Sequence, residues 1–418
     1  MAERPERIAL GLVGLTAALQ GVRLLVAADA LRGGDVVTPG RRHGVRDTAP
    51  GRPGAGSTTE PLRSDDGSGG VVTVLVPVRS GDPLLAATLA AQVDALTAAR
   101  TVFLVDDDDA AGRAAAEEAR ARAPRRVAVR SSGRPAAGTN PKVAKLAAAQ
   151  PREGVVVLLD DDTVLPADAL ARMIGALDHG DLVTGVPAYR EQGSVWSRLL
   201  AAFVNGGAVL THPVLARVAP PVTVNGMALV CRASTLAGLG GLASIAHEVC
   251  DDYALARLVR GAGGRVVQTT VAHPVATTVR SAREYARIQR RWLLFAQQVI
   301  RGDLSAPLVG LVLLPSVLPL ASLVAALTTR SRRGLVGVLG AGLTKAALTR
   351  ELRRRAAPGP WSRRGVAFEV VADLLTPVHL AAAAVGTREV PWRDRQVVTG
   401  PSRVPVAVRT AAASGQRP

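Results

Sequence analysis

Residues 155–170, VVVLLDDDTVLPADAL, run from five consecutive aliphatic side chains directly into three aspartates. Three like charges in a row repel one another and resist burial, so the apolar run has to surface where they begin. Two readings are open at that point. The acids are solvated at a strand end, with Asp162 and Thr163 opening a turn or capping a helix that Pro166 begins. Alternatively, a divalent cation sits among Asp160, Asp161 and Asp162, because hard oxygen ligands and a bound cation relieve the repulsion.

Two further acid clusters repeat the pattern. VFLVDDDDAAG at 102–112 sets Asp106, Asp107, Asp108 and Asp109 after a short apolar run, and HEVCDDYALARL at 247–258 sets Asp251 and Asp252 just ahead of a helical pattern. Each alone reads equally as a solvated strand end or a helix cap. Three together, two at strand ends and one at a helix start, supply both metal ligands and a separate base, as a catalytic site requires.

The surrounding sequence alternates short β-branched runs with Ala-, Arg- and Glu-rich helical runs. Strands are expected at 71–78, 102–105, 127–130, 155–159, 182–186 and 222–231, and helices at 83–99, 110–123, 142–149, 167–176 and 253–261. This alternation predicts an α/β domain over 71–281 on a mainly parallel sheet, with ligands bound at the carboxyl ends of the strands.

The rest of the chain points to a membrane. Of the 418 residues, 48% are hydrophobic, enough for a sizeable core with apolar sequence left over. Residues 8–31, IALGLVGLTAALQGVRLLVAADAL, are long enough to span a bilayer despite Gln20 and Arg23, and read as an uncleaved anchor over 1–31 rather than a signal peptide. Residues 32–70 are rich in Gly, Pro, Ser and Thr and read as a disordered linker. An amphipathic helix at 282–301, with Tyr285, Ile288, Trp292, Phe295 and Val299 on one stripe and Arg283, Arg287, Arg290 and Arg291 around it, is expected to lie at the membrane surface. Beyond it, 302–390 holds further membrane helices: a strong span at 306–329 and weaker ones at 334–348 and 365–386, the last interrupted by Glu369, Asp373 and His379. The arginine clusters flanking these spans give conflicting signals, so the segment's topology is left unassigned. The tail, 391–418, is expected to be disordered.

The net charge of +17 fits an anionic membrane surface or an anionic substrate. With aromatics at 3%, the aromatic-interleaved basic surface of a single-strand binder is missing, and nucleic acid is not expected as a partner. Two cysteines, Cys231 and Cys250, exclude a disulfide framework and a multi-cysteine metal site.

The ordered set LVPVR, VDDDD, TNPK, LLDDDTVLP, VNGMALVCRASTLAGLGGL, CDDYALARLVRGAGGRV and IQRRW resembles the family 2 type glycosyltransferases with a GT-A fold, and most closely their ceramide glucosyltransferase-like, lipid- and hopanoid-glycosylating branch. The resemblance covers residues 71–298. It implies an inverting, metal-dependent enzyme at the cell membrane, its catalytic domain facing the cytoplasm, moving a hexose from a nucleotide-diphosphate sugar, a UDP-sugar first among them, to a lipid acceptor. Under it, Asp106 or Asp107, with Asp109 as a rival, grips the nucleoside. Asp160 and Asp162 form the DxD pair that holds Mg²⁺ or Mn²⁺ against the diphosphate. Lys142 adds a cation near the same phosphates, or is an ordinary surface lysine. Asp252 is the general base. Arg291 and Trp292 match the last two positions of the family's Q/RxxRW motif, whose first position here holds Ile288 between Arg287 and Gln289. Gly226 either lets the backbone approach a substrate or serves a turn.

Two other readings remain. A processive polysaccharide synthase needs a larger channel-forming set of helices than this chain offers. An inactive membrane module binding anionic lipid or nucleic acid has no use for three acid clusters and would bind without divalent metal.

Overall fold

A computed structural model describes residues 3–39, 71–136, 138–191, 193–356 and 365–385, together with the backbone of 389–392, 395–398 and 408–410. After helix α1 (Glu3–Arg32), the α/β domain runs β1 (Val72–Val78), α2 (Leu85–Ala95), β2 (Arg100–Asp106), α3 (Ala110–Ala121), β3 (Val127–Ser132), α4 (Pro141–Ala148), β4 (Val155–Leu159), α5 (Ala167–Gly175) and β5 (Leu182–Tyr189). It continues through α6 (Val195–Val218), β6 (Ala228–Arg232), α7 (Ala233–Gly238), α8 (Asp251–Gly261) and β7 (Val266–Val275). Four long helices follow: α9 (Ala282–Gly302), α10 (Ala306–Thr328), α11 (Arg332–Ala356) and α12 (Gly365–Val385).

The seven strands form one sheet in the order β3-β2-β1-β4-β6-β5-β7, in which β6 alone runs antiparallel to its neighbours. Strands buried on both faces read as unbroken apolar runs, and the pleat sends alternate side chains to opposite layers. Val74, Val76, Phe103, Val105, Val157 and Leu159 pack toward α2, α3 and α5. Leu75, Val102, Leu104, Val156 and Leu158 pack toward α4, α7 and α8. The chain leaves β1 for β2 on one side and β4 on the other, so the β1/β4 boundary is the point where strand order reverses, and the carboxyl ends there open onto a crevice.

Three elements of this domain escape the sequence reading, one of them the short helix α7 that follows β6. Helix α6 fills the gap between the expected fifth and sixth strands, and β7 pairs in parallel with β5 at the sheet edge. The sixth strand is shorter than expected: pairing starts only at Ala228, and just before it the Asn225 and Gly226 amides donate to side chains, Thr184 Oγ1 and Asp252 Oδ2, both at 3.1 Å, rather than to a ladder.

The long helices pack on one another. Helix α1 runs antiparallel to α10, with the Thr16 and Ser322 hydroxyls 2.9 Å apart and the Gln20 amide donating to the Pro315 carbonyl at 3.2 Å. Helices α11 and α12 complete the group, and α6 lies against α1 and α12. Among the described residues, α1, α6, α10 and α12 are long and apolar enough to cross a membrane, α6 being mostly buried inside the protein. The charges that seem to interrupt α12 find partners on α11: Lys345 Nζ lies 3.0 Å from both Asp373 oxygens, and Arg353 pairs with Glu369. Charged groups buried among apolar helices are tolerated when paired.

Arg23 explains how α1 tolerates its charge. Its guanidinium donates to the Leu210 carbonyl at 3.0 and 3.2 Å, to the Thr211 hydroxyl at 3.0 Å and to the Gln20 side chain at 3.3 Å, in the stretch of α6 that also holds Pro213. Arg23→Leu leaves this carbonyl and hydroxyl without their donor, and is expected to cost about 1–3 kcal/mol, read as a lower Tm in detergent.

Part of the expected linker is ordered. Past α1, the Val37 amide donates to the Gln268 carbonyl at 2.9 Å and Thr270 donates to the Asp35 carbonyl at 2.8 Å, adding a short rung to the edge of β7. Residues 40–70 lie outside the described residues. In the tail, where no regular structure is expected, β8 (Glu389–Trp392), β9 (Arg395–Val398) and β10 (Val408–Thr410) form a small antiparallel sheet; the β-branched residues of the VV pair and of VRT suit such strands. The remainder of the tail lies outside the described residues.

Candidate active site

All three acid clusters converge on one cavity of about 960 Å³ at the carboxyl ends of β1, β2 and β4. Asp106, Asp107 and Asp108 enter from the end of β2, and Asp160, Asp161 and Asp162 from the end of β4. The antiparallel direction of β6 carries Asn225, Gly226 and Met227 to the same end of the sheet. There the Asp160 amide donates to the Met227 carbonyl at 3.0 Å, and the Gly226 amide to Asp252 Oδ2 at 3.1 Å. Asp251 and Asp252 occupy the first turn of α8, where the helix dipole favours negative charge.

Basic side chains thread between these acids. Asn140 caps α4 and Pro141 opens it, which places Lys142 and Lys145 one turn apart on the helix face toward the cavity. Lys142 Nζ bridges Asp160 (2.7 Å) and Asp251 (3.1 Å), joining the second cluster to the third. Burial works against the Lys142 charge, but the two carboxylates outweigh it and hold the ammonium protonated well above its usual range. Lys145 lies 3.1 Å from Asp106, which also takes Arg79 at 3.2 Å. Arg79 reaches Asp108 as well, at 3.0 Å, and its amide donates to Asp161 at 2.8 Å.

The acids themselves differ. Burial, reinforced by Asp160 and Asp161, pushes the Asp162 carboxyl up to about 7, although hydroxyls of Thr277 (2.7 Å) and Thr163 (3.1 Å) hydrogen-bond to it. Burial and the charge of Asp251 raise Asp252 to about 6. Asp109 is placed differently from its neighbours. It is buried, it accepts from the Gly112 amide at 2.9 Å and the Ser80 amide at 2.7 Å, and it caps α3 rather than lining the cavity. Burial opposes its charge, but those hydrogen bonds and Arg79 keep its carboxyl below the usual range.

Arg291 and Trp292 of α9 form part of the cavity wall. The Trp292 ring meets Tyr189 edge-on at 6.1 Å and stacks on Phe203 at 6.5 Å. Ile288, one turn earlier, packs in the same apolar cluster, whereas Gln289 is buried and donates to the Tyr285 hydroxyl at 3.2 Å. The polar leading position of the motif is therefore filled by an apolar side chain on the Trp292 face. The same cavity continues among the long helices, where Gln20, Arg23, Val312, Pro315, Lys345 and Asp373 line it.

Sequence reading passes over Arg79, Lys145 and Cys250. The first two carry a readable sign, an arginine directly after β1 and a lysine three residues beyond Lys142. Cys250 carries none, because its meaning lies in one contact: its thiol donates to Asp252 Oδ1 at 3.0 Å.

The residues at the β4 end suit a cation. Asp160 and Asp162 offer hard oxygen donors in a cavity where burial makes their negative charge costly. Among the described residues no group of three or more His, Cys, Asp or Glu side chains is arranged to hold a metal alone. Two carboxylates completed by substrate phosphates are the usual arrangement for Mg²⁺.

Residues 54–402 match the family Glycosyl transferase family 21. No curated protein sequence matches the chain. Among solved structures, the chain is similar to the mannosyltransferase PcManGT from Pyrobaculum calidifontis, in complex with GDP-Man and Mn²⁺, at 18% identity and TM-score 0.48, covering 91% of this chain and 98% of that one. It is also similar to glucosyl-3-phosphoglycerate synthase from Mycobacterium tuberculosis, in complex with Mg²⁺ and uridine-diphosphate, at 15% identity and TM-score 0.36, covering 57% of this chain and 81% of that one. The family match takes in the whole seven-stranded sheet, all three acid clusters and α9 through α12, and this chain belongs to glycosyl transferase family 21, the ceramide glucosyltransferase-like glycosyltransferases of GT-A-like α/β fold.

Proposed function

We propose that the protein moves a hexose from a nucleotide-diphosphate sugar, a UDP-sugar first among the candidates, to a hydroxyl of a membrane lipid, with inversion at the anomeric carbon. The observation that supports this reading is the shared cavity, lined at the sheet by Asp106, Asp160, Asp162 and Asp252 and among the apolar helices by Val312, Leu313 and Pro315. One chamber thus offers an anionic donor a charged floor and a lipid an apolar wall.

In this reading Asp106 or Asp107 receives the nucleoside, and Lys142 faces the diphosphate. Asp160 and Asp162 hold Mg²⁺ or Mn²⁺, which when bound offsets charge developing on the departing diphosphate. Asp252 takes the proton of the acceptor hydroxyl. A single displacement with the base opposite the leaving group inverts the anomeric centre. Arg291 and Trp292 close the wall beside the reacting sugar. The exposed Arg283 and Arg287 of α9 face anionic headgroups, and the catalytic domain faces the cytoplasm at the cell membrane.

The test is a panel of nucleotide sugars offered to the detergent-solubilised protein, with and without a lipid extract, reading released nucleoside diphosphate. One donor is expected to respond to added lipid and to lose that response with chelator; a panel in which none does contradicts the reading. With the active donor, the rate is expected to rise with pH through about 6, because Asp252 accepts a proton only as the carboxylate and its pKa lies there. A rate already flat from the ordinary carboxylate range upward argues against Asp252 as base.

A further inference from the structure

The two oxygens of Asp252 are not equivalent. Oδ1 accepts from the Tyr253 amide at 2.7 Å and from the Cys250 thiol at 3.0 Å, which uses both of its in-plane lone pairs. Oδ2 accepts one hydrogen bond, from the Gly226 amide at 3.1 Å. At Gly226 an added Cβ would lie 2.9 Å from Oδ2 and 3.0 Å from the Asp252 Cβ, closer than side-chain contacts allow, so the amide reaches the carboxylate only because residue 226 has no side chain. Cys250, Gly226 and Asp252 all line the cavity.

Building on Asp252 as the base, we propose that Cys250, which occupies Oδ1, and Gly226, which holds one lone pair of Oδ2, are positioning residues that fix the carboxylate plane and leave the other lone pair of Oδ2 to take the acceptor proton. The proton moves from the acceptor hydroxyl to Oδ2 as the oxygen forms its bond to the anomeric carbon and the bond to the diphosphate breaks. The thiol keeps its own proton throughout. It holds that proton firmly, since burial and the charge of Asp252 raise its pKa well above the usual thiol range. The charged groups acting on Asp252 are Asp251 beside it and Lys142 from α4. A donor bonded to the charged form favours ionisation, so the thiol makes Asp252 a carboxylate at lower pH than it would otherwise be.

Two measurements test this. In Cys250→Ala the acidic limb of the rate profile is expected to move to higher pH by roughly half a unit or more, since a lost hydrogen bond to the carboxylate disfavours its charge, and Cys250→Ser should return it toward the wild-type position. Gly226→Ala should lower kcat by at least about 10-fold with little change in nucleotide-sugar KM, the pattern of a misplaced catalytic group. The second measurement needs no turnover. Alkylation of Cys250 by iodoacetamide is followed against pH by peptide mapping, which separates it from Cys231, fully buried and with its thiol pushed up to about 12. Asp252→Asn removes the anion beside Cys250, so its alkylation profile should shift to lower pH.

Superimposable alkylation profiles overturn the contact, and an unmoved acidic limb in Cys250→Ala overturns its effect on the base. If the alkylation profile shifts while Asp252→Asn transfers sugar at the full rate, the contact stands and the assignment of the base fails.

Discussion

Asp252→Asn is expected to lower the rate of sugar transfer by about 10²- to 10⁴-fold, the contribution of a well-placed general base, while nucleotide-sugar affinity stays nearly constant. The substitution keeps the shape of the side chain, and the one amide oxygen can still accept from Tyr253 and Cys250, while the Gly226 amide loses its acceptor where the NH₂ replaces Oδ2. What it removes is a proton acceptor. Asp251→Asn is the control, and the structure says how it should differ. Asp251 does not share Asp252's hydrogen-bond partners; it pairs directly with Lys142, which also holds Asp160. Its loss should loosen the lysine over the donor site and appear chiefly as a weaker KM for nucleotide sugar, with a smaller fall in kcat. Both variants are to be assayed in one preparation, with donor affinity measured separately from rate. If Asp252→Asn loses affinity in parallel with rate, or loses neither, another group is the base.

Asp162→Asn should abolish the metal dependence of nucleotide-sugar binding, and Asp160→Asn should weaken it. Losing even a group that merely supports a metal ligand typically costs about 10- to 100-fold in metal affinity, so losing a ligand should cost at least that. The two positions are not alike. Lys142 already neutralises Asp160 at 2.7 Å, whereas among the described residues Asp162 is held by the hydroxyls of Thr277 and Thr163, and burial with the charges of Asp160 and Asp161 raises its pKa. The larger effect belongs to Asp162. Calorimetric titration of nucleotide sugar with Mn²⁺ or with chelator measures it. Binding that is indifferent to chelator in the wild type, or equally metal-dependent in Asp162→Asn, would falsify the cation assignment.

Much of the sheet is legible from the chain alone for a physical reason. Parallel strands packed on both faces must be apolar throughout, so β1, β2 and β4 appear as unbroken runs, and their carboxyl ends appear where charge abruptly starts. The same abruptness marks Asp106 and Asp160. Helix α6 hides for the opposite reason: it contains Asn205, Gly206, Gly207 and Pro213, residues that break helices in isolation, and it forms because its neighbours bury it. Gly206 leaves room for Lys345 Nζ, which a Cβ there would meet at 3.1 Å. Glu369 and Asp373 likewise read as interruptions of a span until Arg353 and Lys345 stand opposite them. At the site, acids announce themselves by clustering. The cap role of Asp109, the double bridge of Lys142 and the thiol on Asp252 depend on which residues the fold brings within 3 Å or so, and no local pattern records that.

The antiparallel pairing of α1 with α10 bears on how the protein is made. The hydroxyls of Thr16 and Ser322 meet across 306 positions of sequence, and Glu6 lies 3.2 Å from Ser331 across 325. A ribosome therefore releases the first helix long before its partners exist. The α/β domain can close on its own strands during that interval, because all seven strands, through β7, are made before α10 begins. The helical wall of the cavity cannot. Arg23 has its acceptors on α6 early, but its other neighbours arrive only with the last quarter of synthesis, and such distant contacts form slowly. The donor floor is thus expected to mature before the acceptor wall, and a nascent chain arrested after α9 should already bind nucleotide sugar while remaining unable to hand the sugar on.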